Sequence, residues 1–202
     1  MAEVEHFAYG SVNPVLAFVL SFLGSLLSLV LARRARDARG FTKVRFLALS
    51  ALSLGGTGIW LMHFMAMVGF DVPESPVRYN LLITVLSFAI AVVIVAVGLF
   101  TAIFTRPGAL KILAGGFITG VGVAAMHYTG MLAMDVGGKI SFNLVYVAGS
   151  VGIAVVAATV ALWFAAVVRG TAAMVGASLI MAIAVCSMHY TGMRAIQVRL
   201  TD

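Results

Sequence analysis

The chain has 202 residues, of which 62% are hydrophobic and 10% charged, with a formal net charge of +6. A soluble domain is about one quarter charged, so this composition, with a mean hydropathy of +1.12, excludes a soluble globular protein and indicates an integral membrane protein. The basic balance then reports membrane topology and not nucleic-acid binding, and the lone cysteine, Cys186, excludes an internal disulfide and a cysteine-based structural zinc site.

The chain starts with an acidic segment (Met1, Ala2, Glu3, Val4, Glu5). The first apolar run lacks a small-residue cleavage site, so it reads as a retained membrane helix and not a signal peptide. Six apolar stretches are long enough to cross the hydrocarbon core, which takes about 20 residues. They run roughly from Ser11 to Ala32, Phe46 to Gly69, Leu81 to Phe104, Ile112 to Met134, Leu144 to Val168 and Ala172 to Ile196. Turn-forming residues separate them: Asp71, Pro73, Ser75 and Pro76, then Pro107 and Gly108, then Gly137 and Gly138. The break at Arg169 and Gly170 is very short.

Loop charges set an expected orientation. Arg33, Arg34, Arg36, Arg39, Lys43 and Arg45 follow the first span, Arg106 and Lys111 the third, and Arg169 the fifth, with Asp37 the one acid among them. Arg78, Lys139, Arg194 and Arg199 fall on the other side, with Glu3, Glu5, Asp71, Glu74, Asp135 and Asp202. Positive-inside then places the first group in the cytoplasm and the N-terminus outside. The C-terminus follows the sixth span on the outer side, so a cytoplasmic output domain would need a further crossing or a partner protein.

The second, fourth and sixth spans end alike. Met-His-Tyr-Thr-Gly-Met occurs at Met126 to Met131 and at Met188 to Met193, and a degenerate copy, Met62-His63-Phe64-Met65-Ala66-Met67, lies upstream. The expected fold is therefore all-α: six transmembrane helices arranged as three repeated helical hairpins (about 11–69, 81–134 and 144–196) with approximate internal threefold symmetry, in one domain spanning 1–202. Small residues recur before each histidine (Gly56 and Gly58, Gly120 and Gly122, Ala182 and Ala184), and such faces let membrane helices approach closely.

Ionisable groups at membrane depth are costly and are functional candidates by default. His63, His127 and His189 occupy one position in three repeats, at similar depth. Residues four apart share a helix face, which sets each beside a methionine: Met67, Met131 and Met193. Met62, Met126 and Met188 sit about 100° around the helix, placed either to reach a neighbouring helix or to border the site. Imidazole with thioether suits copper, particularly Cu(I); zinc would use three histidines and water but leaves the methionines unexplained. Tyr128 and Tyr190, with Phe64 in the first copy, follow the histidines as ligand-orienting or interfacial aromatics. Asp71, Asp135 and Gln197 read as polar residues ending their helices. Cys186 reads as packing and His6 as a solvated terminal residue.

The doubled motif resembles the MHYT family of bacterial membrane sensor domains over nearly the whole chain, with Phe64 and Met65 departing from it in the first copy. The resemblance implies copper, Cu(I) or Cu(II), bound by Met62, His63, Met67, Met126, His127, Met131, Met188, His189 and Met193. It also implies sensing of a diatomic gas (oxygen, carbon monoxide or nitric oxide) from the bacterial inner membrane. The signal would pass to a cytoplasmic domain of cyclic di-GMP turnover, in the full-length protein or in a partner. No nucleophile–base pair, phosphate loop or intramembrane carboxylate pair suggests catalysis within the chain. Copper transport or handling, and haem binding through paired histidines, are the rival readings.

Overall fold

A computed structural model describes residues 7–72 and 76–200. The readings placed on Glu3, Glu5, His6, Pro73, Glu74, Ser75 and Asp202 lie outside the described residues.

The apolar runs, with their one proline (Pro14) confined to a first helical turn, fold as helices because a backbone in lipid must satisfy its own polar groups. Helix α1 spans Val12–Asp37. The second crossing is α2 (Gly40–Ala51), a π-helical segment (Leu52–Leu61) and α3 (Met62–Met67). Then come α4 (Leu81–Ile103), α5 (Ala109–Leu132), α6 (Leu144–Val167) and α7 (Thr171–Met193). All six crossings are long and apolar enough to span a membrane. The expected boundaries hold to within a few residues, except that α1 and the second crossing extend further into the basic turn between them, as far as Asp37 and Gly40.

The crossings pack in chain order as a closed ring, since α7 returns to α1. The first helices of the three hairpins, α1, α4 and α6, also touch one another, and their ends gather with Arg36, Ile103, Phe104, Ala166 and Arg169 around one pocket. The histidines lie at the opposite end, four or five residues before the last residues of α3, α5 and α7.

The first hairpin differs from the others. Twenty-three residues separate Gly40 from His63, against eighteen from Ala109 to His127 and from Thr171 to His189. The i→i+5 bonding of the π segment puts more residues in each turn and absorbs part of that excess. This segment is clamped from α1: Ser53 Oγ donates to Gly24 O at 3.0 Å, and a Cβ on Gly24 would run into the Gly58 backbone.

The outer turns expected at Asp71 to Pro76 and Gly137–Gly138 also carry strands. Strand β1 (Arg78–Tyr79) pairs antiparallel with β2 (Met134–Asp135), and β3 (Gly138–Phe142) with β4 (Ile196–Leu200). Each ribbon ties together the two histidine-side ends of one hairpin. Asp135 stands opposite Arg78, and Gln197 opposite Ser141, so these polar residues belong to the ribbons. Asn80 and Asn143 cap α4 and α6 by accepting from Ile83 N and Val145 N.

Two of the small residues show which helices approach closely. A Cβ at Gly120 would strike the backbone of Val155 in α6, and one at Gly122 the side chain of Ile94 in α4. They bring the motif helices against the flanking first helices, not against each other.

Candidate metal centre

Three helix ends each deliver one histidine to a common point. His63, His127 and His189 are 1%, 0% and 1% exposed. His63 Nδ1 lies 3.0 Å from His189 Nδ1 and 3.1 Å from His127 Nδ1. The three rings stand edge to face, with centroids 4.9–5.1 Å apart. Among the described residues this trio is the one group of histidine, cysteine or acidic side chains placed to hold a metal ion.

The donor geometry matters because a neutral imidazole carries one proton and one in-plane lone pair. One proton on His63 Nδ1 can serve lone pairs on the other two rings, but three facing lone pairs need a cation. Three nitrogens bound to one ion at about 2.0–2.1 Å stand about 3.4 Å apart. The separations found are a few tenths of an ångström shorter, so an ion fits after slight spreading of the rings.

Sequence reasoning missed what seats the rings. A Cβ at Gly130 would collide with Nε2 of His63, and a Cβ at Gly192 with Nε2 of His127. Each glycine stands three residues after its own helix's histidine and makes room for the histidine of a neighbour. The signal was present, since glycine fills this place in both literal motif copies. Nε2 of His63 and of His127 is buried without a hydrogen-bond partner among the described residues. Packing on glycine therefore orients these rings where an outer hydrogen bond usually does so.

The six methionines separate into two sets. Met67, Met131 and Met193, one turn nearer the helix ends, are 0–3% exposed and join one apolar cluster with Phe70, Val72, Met134, Val136, Ile196 and Val198. Met62 packs with Ala17 and Ala66, while Met126 and Met188 lie in the main core. Cys186 packs against the Met62 group, as expected of a packing residue.

The aromatic residues after the histidines face neighbouring helices. Tyr128 hydroxyl lies 2.6 Å from Ser150 Oγ of α6. In the degenerate copy Phe64 has no hydroxyl, and Trp60 Nε1 donates instead to Ser87 Oγ of α4 at 3.0 Å. The hydroxyls of Tyr190 in α7 and of Ser21 in α1 are each buried without a hydrogen-bond partner among the described residues.

Next to the triad, on the side away from the Met67, Met131 and Met193 cluster, lies an apolar cavity of about 40 Å³, with Leu54, Ile59, Val95, Val123 and Met188 on its wall. A water needs only about 10–15 Å³ on this measure, and apolar cavities stay dry. The space suits a small apolar molecule.

Comparison with known proteins supplies the remaining finding. The sequence model of a family described as "Bacterial signalling protein N terminal repeat", MHYT, matches residues 56–116 and 120–178. Those segments include His63 and His127, while His189 lies just beyond them. The chain is 35% identical over 94% of its length to the bifunctional diguanylate cyclase/cyclic di-GMP phosphodiesterase MucR of Pseudomonas aeruginosa, of which it covers 28%. It is 34% identical over 96% of its length to the cyclic di-GMP phosphodiesterase NbdA of the same organism, covering 25% of it, and 33% identical over 91% to an uncharacterized signaling protein of Caulobacter vibrioides, covering 22%. The chain thus spans about a quarter of the length of these curated relatives. No solved structure matches it.

Proposed function

The chain belongs to the MHYT family of bacterial signalling repeats, and from that premise we propose that it is the membrane sensor unit of a signalling protein and that its histidine triad holds copper. The convergence of three Nδ1 atoms in an apolar interior carries this reading. Copper is preferred to zinc because buried thioethers of Met67, Met131 and Met193 lie one turn from the triad. Nitrogens 3.0–3.1 Å apart leave no room for a porphyrin between them, which weighs against haem.

Copper, when bound, supplies a one-electron couple and an open coordination position. The chain's own residues do the rest: imidazoles hold the ion, the methionine cluster and ribbons exclude water on one side, and the cavity stores a small apolar molecule on the other. A diatomic gas is the ligand class proposed, since the cavity is small, apolar and close to the triad. Signalling requires the ligand to bind two states of the bundle unequally. The two states proposed differ in the spacing of α3, α5 and α7 at the histidines. The output proposed is cyclic di-GMP turnover, because MucR and NbdA carry that activity in their names. The loop charges support an inner-membrane placement with the N-terminus outside.

Elemental mass spectrometry of the purified chain, beside a variant with alanine at His63, His127 and His189, tests the reading. Copper in the parent and none in the variant is expected. Absence of metal from a copper-loaded parent overturns it, and protein-dependent copper flux in vesicles would replace sensing by transport.

A further inference from the structure

The end of the bundle opposite the histidines carries a second polar feature. A pocket of about 380 Å³ opens there, lined by Arg36, Lys43, Arg106 and Arg169 with the ends of α4 and α6. Four cations face one space. Asp37 is the one acidic residue at this end among the described residues, and it pairs with Arg169 at 3.4 Å, with both side chains largely exposed. Arg36 is a fixed part of the wall: its two terminal nitrogens donate to Ala165 O and Val168 O, the carbonyls that end α6.

Helix starts at this end add free N–H donors to the four cations, while the C-termini of α1, α4 and α6 beside them offset the dipole charge. Helices α2, α5 and α7 all start at this end, at Gly40, Ala109 and Thr171, each within three residues of a pocket-lining residue. None has a side-chain cap; their N-cap residues are Arg39, Gly108 and Gly170. Two helices that start at the histidine end are by contrast capped by Asn80 and Asn143. An uncapped N-terminus presents free N–H groups and about half a positive charge, which is the ordinary setting for a bound phosphate.

We propose that this pocket binds a phosphate-bearing anion that bridges the turns of the three hairpins. The chemistry recognised is a phosphate mono- or diester, held by Lys43, Arg106 and Arg169 over the ends of α1, α4 and α6. Two sources carry that group: the headgroup of an anionic phospholipid, for which basic pockets between membrane helices are suited, and a soluble phosphate. Bound there, the anion holds together the ends of the hairpins whose other ends carry the histidines. The site does not depend on the metal.

The test uses the whole chain in detergent and in nanodiscs. Native mass spectrometry compares retention of phosphatidylglycerol with that of phosphatidylcholine, and thermal melting in lipid-free detergent is followed with inorganic phosphate. The variants are Lys43→Glu with Arg106→Glu, and the milder Lys43→Gln with Arg106→Gln should the first fail to fold. The control is Arg33→Glu with Arg34→Glu, exposed residues outside the pocket. Preferential retention of phosphatidylglycerol, weakened about tenfold or more by the Lys43 and Arg106 changes and unchanged in the control, supports the site with lipid as its source. A rise in melting temperature with phosphate alone, lost in the same variants, supports it with a soluble source. Equal weakening by pocket and control variants, or no response to either anion, overturns the proposal.

Discussion

His63 Nδ1 lies 3.0 Å from His189 Nδ1, although 126 residues separate them in the chain. His127 Nδ1 is 3.1 Å from the same atom of His63. His63 is thus the vertex common to both short contacts, and it comes from the degenerate copy of the motif.

Alanine at His63 is expected to abolish stoichiometric copper retention, as is alanine at His127 or His189. Two imidazoles leave the ion without its third nitrogen. Metal content measured on each single variant decides this. Copper should raise the melting temperature of the parent, since a ligand that binds only the folded state stabilises it, and should leave that of each variant unmoved. Full retention in any single variant would refute a three-histidine centre.

Alanine at Gly130 or Gly192 puts a methyl group where an imidazole of the neighbouring helix now sits. Overpacking of this kind costs about 1–3 kcal/mol, and the displaced ring should lower copper retention as well. Gly176 is the control, because a Cβ there meets nothing within 4 Å. Gly176→Ala should be neutral or stabilising by about 0.5–1 kcal/mol, as the helical propensity of alanine implies. Equal effects at all three positions, in melting and in metal content, would show that the glycines do not seat the rings.

The methionine sets should separate in their metal chemistry. Leucine at Met67, Met131 and Met193 removes three thioethers at a stability cost below about 1.5 kcal/mol each. Retention of Cu(I) should fall while that of Zn(II) holds. Leucine at Met62, Met126 and Met188 should change neither strongly, since those residues are divided between two other clusters. Competition with a chromogenic Cu(I) chelator measures the difference, and the reverse ranking would reassign the thioethers.

Trp60 stands in for the missing tyrosine of the first repeat. Trp60→Phe removes its bond to Ser87 and should cost about 0.6–1 kcal/mol, typical of hydrogen bonds between membrane helices. Phe64→Tyr in that background restores the phenol of the other two repeats and should recover part of the loss. A double-mutant cycle on melting temperature reads the coupling, and strict additivity would exclude it.

The π segment sets the rotation of His63. Inserting one alanine between Leu61 and Met62, beyond the segment, turns His63 by about 100° as in an α-helix and should abolish copper retention. Deleting one residue within Leu52–Leu61 instead narrows its wide turns toward α-helical ones and should be tolerated. Metal content of the two variants decides this, and equal loss of copper in both would mean that the segment does not absorb a change of register.

Much of this was legible in the chain. Six apolar runs fixed the crossings, because hydrocarbon thickness sets the length of any spanning helix. The equal offsets of three histidines fixed which helix ends matter, since an imidazole in lipid is too costly to recur without a role. Gly130 and Gly192 were visible as residues but not as a cradle. The neighbour each accommodates sits on another hairpin, and no spacing within one helix reveals it.

The sequence by itself determined the number, depth and order of the helices and the presence of a triplicated imidazole, because hydropathy and helical period act along the chain. Tertiary structure decided that Nδ1 faces the centre, that the methionines divide into two sets, that a π segment turns His63 into register and that ribbons close the histidine end. Those depend on how far each helix rotates against its neighbours. Contacts such as Gly24 on Gly58 and Gly120 on Val155 set that rotation, and they join residues from different crossings.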